Sequence, residues 1–67
     1  MMLLRFVGKD RDYNLRNGLV YPCKVYSKKG FIWVKARSYA FKFPKRYVYI
    51  PYAMIECLYS EWRVYGE

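Results

Sequence analysis

Histidine is absent from this 67-residue chain, and so is glutamine. Without imidazole, the commonest general base and the commonest metal ligand are both missing. Cysteine is scarce. Cys23 and Cys57 are too few for a disulfide framework and too far apart for a metal-binding pair. A zinc site would need both thiols and borrowed ligands, so neither metal nor cofactor is expected. Both thiols read as reduced, with a single bridge between strands as the alternative. There is no nucleophile motif, no Gly-rich phosphate loop and no pair of carboxylates on one strand. Catalysis therefore has no candidate residue, and the chain is expected not to be an enzyme. Cys57 beside Glu56 reads as a core thiol rather than a nucleophile with its base.

Long apolar runs are missing too. Residues 1–4 are too short for a signal-peptide core, and Arg5 interrupts them. No run approaches the ~20 apolar residues of a membrane span. The expected location is the cytoplasm, with no membrane partner.

Acidic residues are few, and their placement matters more than their number. Five Asp and Glu face 13 Lys and Arg, for a formal charge of +8. The acids are Asp10, Asp12, Glu56, Glu61 and Glu67, so none lies between Tyr13 and Ile55. That interval carries nine cations, and one continuous positive segment attracts polyanions or acidic protein surfaces.

Aromatics, by contrast, are abundant, at 22% of residues, with nine Tyr, four Phe and two Trp. A domain near this size buries only ~60% of the surface its unfolded chain exposes. Aromatic side chains bury ~150–250 Å² each and make up that shortage. There are more of them than a small core can hold, which points to a contact surface.

The chain reads as one domain over residues 1–67. Residues 2–7 form a first short strand, and residues 8–18 a long excursion in which Leu15 tucks under an Asn17-Gly18 turn. The organising element is a hairpin. Alternating runs at 19–26 and 31–37 flank a polar break at 27–30. On the first run Leu19, Tyr21, Cys23 and Val25 share one face, and Val20, Lys24 and Tyr26 the other. Pro22 lacks an N–H and so marks an edge or a bulge. On the second run Ile32, Val34 and Ala36 face inward, while Phe31, Trp33, Lys35 and Arg37 face out.

Residues 38–46 are either a strand extension ending in a tight turn or an aromatic loop over a barrel mouth. Residues 47–50 form a fourth strand with Val48 and Ile50 inward, ended by Pro51. Residues 51–54 suit one turn of 3₁₀ helix, residues 55–59 a last short strand, and residues 60–67 an edge. The competing reading is a helix over 52–62, since Met54, Ile55, Leu58 and Trp62 fall near a 3/4 spacing.

Leu15-x-x-Gly18 ahead of a strand, and Tyr49-Ile50-Pro51-Tyr52-Ala53-Met54-Ile55 near the end, resemble SH3 domains, in which Pro opens a 3₁₀ turn between the last two strands. The resemblance implies an all-β, SH3-like small barrel of about five short strands. The acidic cluster that peptide-binding SH3 domains carry is not matched here, because Asp10 and Asp12 alternate with Lys9 and Arg11. The strand, turn and strand at the C-terminus is also similar to plasmid-type dihydrofolate reductases. Their Gln-Ile-Tyr triplet is replaced by Tyr49-Ile50-Pro51, so that activity is not implied. Lys24-Val25-Tyr26 ahead of Ile32-Trp33-Val34 is similar to short bacteriophage proteins, which implies a phage or prophage origin.

The sharpest constellation is the outer face built from Trp33, Lys35 and Arg37, with Tyr47 and Tyr49 on the neighbouring strand. Lys24 and Tyr26 extend it across the hairpin. Lys28 and Lys29 at the tip, and Lys45 and Arg46 after Pro44, frame it as phosphate clamps. Cations hold phosphates, and aromatics between them stack on bases at ~1–3 kcal/mol each. Small archaeal chromatin proteins show a resembling basic sheet with a Trp. The expected partner is nucleic acid, DNA or RNA. The bland reading is Trp33 packed under a loop with the cations merely solvated. The functional alternative is a protein-interaction module, such as a phage-encoded inhibitor on an acidic host surface, where aromatics and Arg act as hot spots. Homo-oligomerisation through edge strands is a third possibility.

Overall fold

The computed structural model of the protein describes residues 2–10, 15–37 and 47–66. Five strands and one short helix follow in chain order: β1 (Met2–Phe6), β2 (Val20–Lys28), β3 (Phe31–Arg37), β4 (Tyr47–Tyr52), α1 (Ile55–Glu61) and β5 (Trp62–Val64). Every ladder is antiparallel, in the order β4-β3-β2-β1-β5. The β-rich class is as expected. The sheet is not closed: β4 and β5 are its two ends, and no ladder joins them among the described residues. The expected readings at 38–46 lie outside the described residues.

Alternation explains the strands. Tyr21 and Cys23, Val34 and Ala36, and Val48, Ile50 and Tyr52 are buried at every second position, together with Leu4 and Phe6 of β1. Their intervening neighbours face out. Leu19 departs from the expected inner face and is 53% exposed, because β2 begins only at Val20. Leu15 is fully buried beneath the turn, as expected. Leu19 N–H donates to the Arg16 carbonyl at 3.2 Å, and Gly18 takes φ 88°, a conformation glycine adopts freely.

The hairpin is tighter than the four-residue break suggests. Lys28 pairs with Phe31, leaving only Lys29 and Gly30 in the turn. Their φ values of 52° and 79° make it a type I′ turn, whose twist matches that of the flanking strands. Strand β2 pairs with β1 over residues 20–23 and with β3 over residues 23–28, so only Cys23 faces both. The sheet therefore falls into two halves. Pro22 sits just outside the β3 ladder, a local edge within an otherwise interior strand.

The C-terminal third corrects the expected 3₁₀ turn and short strand. Strand β4 runs on through Pro51 to Tyr52, and residues 55–61 form an α-helix. Pro51 is tolerated because β4 is an edge strand. A strand over 55–59 would turn Ile55, Cys57 and Tyr59 inward together. A helix instead buries Leu58 and brings Trp62 in four residues later, which leaves Ile55 and Tyr59 exposed. So short a helix is held by packing rather than propensity. Val7 N–H donates to the Glu61 carbonyl at 2.7 Å and ties its end to β1. Among the described residues no helix is long and apolar enough to cross a membrane.

Trp62 is the centre of the core. Its ring meets Phe6 edge-on at 4.9 Å and Tyr21 at 6.1 Å. Its Nε1–H donates to the Tyr52 hydroxyl at 2.8 Å, and that hydroxyl donates to Glu61 Oε1 at 2.9 Å. Tyr52 ends β4 and Trp62 opens β5, so this chain of hydrogen bonds links the two ends of the sheet.

Candidate functional site

The hairpin and β4 present their outward residues as cross-strand rows. Lys24 faces Lys35, which faces Tyr49. Tyr26 faces Trp33, which faces Pro51. Arg37 faces Tyr47, and Lys28 faces Phe31 at the tip. The alternation that buries Val34 and Ala36 is what places these side chains on one surface.

Two clusters result. In the first, Tyr26, Lys28, Lys29, Trp33 and Tyr49 line an open groove of about 380 Å³. Trp33 is half-buried there, and its Nε1–H donates to the Lys28 carbonyl at 3.2 Å. That bond leans the indole diagonally toward the tip and leaves no ring donor for a ligand. In the second, the Lys35 ammonium lies 4.3 Å from the Tyr47 ring centroid and 5.8 Å from that of Tyr49. Each is within cation–π range. Lys35 also stands directly opposite Lys24. Like charges so placed repel, and a bound anion would relieve them.

Among the described residues, Asp10, Glu56 and Glu61 are the acids, and none lies on β2, β3 or β4. Asp10 lies 3.6 Å from Arg16 and accepts from the Asn17 N–H at 2.8 Å. Glu61 accepts from Tyr52 at the far end of the core network.

Nine of the eleven nominated residues are thus on these strands or in the connecting turn, five of them around one groove. Lys45 and Arg46 lie outside the described residues. Sequence reasoning passed over Phe31, Arg5 and Arg63. Phe31 is 45% exposed beside Lys28, and Arg5 pairs with Arg63 across β1 and β5. The outward alternation of β1 and β5 was the available signal for the two arginines.

Both cysteines are free. Cys23 is sealed in the core, and burial pushes its thiol up to about 12, against a smaller lowering by the Leu4 backbone hydrogen bond. Such a thiol is neither a nucleophile nor a metal ligand at neutral pH.

Comparison with protein-family models, curated proteins and solved structures finds no match to this chain.

Proposed function

We propose that the protein binds nucleic acid through the outer face of β2, β3 and β4. The observation that carries this reading is a surface, without acids among the described residues, on which Lys24, Lys28, Lys29, Lys35 and Arg37 alternate with Tyr26, Trp33, Tyr47 and Tyr49. The cations hold phosphates and the rings sit between them, a combination suited to contact with weak sequence preference. We propose also that the sheet belongs to the SH3-like small barrels. Two half-sheets hinged at Cys23, adjacent first and last strands, and the Trp62–Tyr52 hydrogen bond between the sheet's ends support this.

Titration of a labelled oligonucleotide at increasing salt tests the binding. Affinity should fall linearly on a log–log plot, with a slope of about 0.7–0.9 per phosphate contacted. Affinity independent of salt, or no affinity for any DNA or RNA, rejects it.

A second reading has an observation of its own. Met54 at the N-cap of α1, and Ile55 and Tyr59 on the helix, are exposed, an apolar patch better covered by a protein than by a polyanion. A nuclease-treated lysate would then yield a stoichiometric protein partner, lost in Ile55→Lys.

A further inference from the structure

Phosphate contact accounts for the lysines but not for the shape beside them. The groove between Tyr26, Trp33 and Tyr49 is walled by rings, with Lys28 and Lys29 among its lining. We propose that it holds one unpaired nucleobase stacked on Trp33, with Lys28 and Lys29 on the adjoining phosphates, so that the ligand is single-stranded nucleic acid. This rests on the nucleic-acid reading above and narrows it.

Size is the first argument. A volume of about 380 Å³ is room enough for one planar ring to enter. Within a duplex both faces of a base are covered by its stacked neighbours, so an aromatic wall reaches only a base that has left the stack. The second argument is the state of the indole. Its N–H is committed to the Lys28 carbonyl, so a base would meet Trp33 by stacking rather than by a hydrogen bond, and stacking tolerates every base. The third is the turn. A type I′ turn favours Asn or Gly at both central positions, yet lysine occupies the first at φ 52°. An L-residue seldom adopts that conformation, and here the one that does also lines the groove.

Three probes at one low salt concentration test this. They are an oligothymidylate of about 12 nucleotides, the same strand annealed to oligoadenylate, and an abasic strand of equal length. The single strand should bind at least about tenfold tighter than either other probe. It should quench Trp33 emission and leave that of the sealed Trp62 unchanged. Trp33→Leu should reduce the single strand to the level of the abasic one. Lys29→Asn should weaken single-strand binding several-fold while raising the urea midpoint, so that lost binding is not lost folding. Equal affinity for all three probes overturns the base groove and leaves phosphate binding standing. Unchanged affinity in Lys29→Asn removes the turn from the site. Binding of no probe ends both readings.

Discussion

Trp62 and Trp33 carry the same side chain in opposite settings. Trp62 is fully buried, with Phe6 of β1 and Tyr21 of β2 against its ring and Tyr52 of β4 at its nitrogen. Trp33 is half-buried on the outer face, and its nitrogen is bonded within its own hairpin. One indole therefore joins segments far apart in sequence, whereas the other braces a local turn. The surroundings differ in kind as well. Trp62 donates into a chain of side-chain hydrogen bonds through Tyr52 to Glu61, whereas Trp33 has the exposed Lys28 and Lys29 beside it. The contrast separates what holds the sheet together from what the sheet presents.

The largest effect should come from the interior. Trp62→Ala removes a buried ring and should cost about 3–5 kcal/mol, against a total stability of roughly 5–15 kcal/mol for a domain. Urea denaturation should show a midpoint far below that of the wild type. Trp33→Ala should lose less than half as much, and equal losses at the two sites would break the distinction. Next comes Lys35→Met. It forfeits the contact over Tyr47, worth about 0.5–1 kcal/mol, but relieves the repulsion from Lys24 directly opposite, which is of similar size. Stability should therefore hold within about 0.5 kcal/mol, while the salt slope of oligonucleotide binding falls by about one. A large loss of stability instead would return Lys35 to a structural role.

How much of this contrast the sequence displayed depends on the range of the cause. The outer face was legible because a strand's period of two, with Val34 and Ala36 at alternate positions, decides inside from outside locally. The core around Trp62 was not. Trp62 lies between Glu61 and Arg63, in a stretch that suits an edge strand as well as a helix end. What commits residues 55–61 to a helix is the buried cluster that Leu58 joins and that Trp62 enters against Phe6 of β1 and Tyr21 of β2, far away in sequence. The groove was legible only as a list. Its residues were nominated, but its shape depends on the type I′ turn and the lean of the indole toward Lys28. Neither feature is written in the alternation.

The effect that vanishes at neutral pH lies on β2 itself, where Cys23 faces the core and Lys24 the outer surface. Burial raises the Cys23 thiol from 9.0 to about 12 in the folded protein. The unfolded chain therefore gives up this proton first. Between those values it binds fewer protons than the folded chain, so stability falls as pH rises through that window and is untouched by this group below 9.0. The informative quantity is the difference between two proteins. The urea midpoint of the wild type should decline more steeply with alkaline pH than that of Cys23→Ala, and the two should run parallel near neutrality. Parallel curves throughout would mean that water reaches Cys23, and the interior would then be less distinct from the outer face than the burial of Trp62 implies.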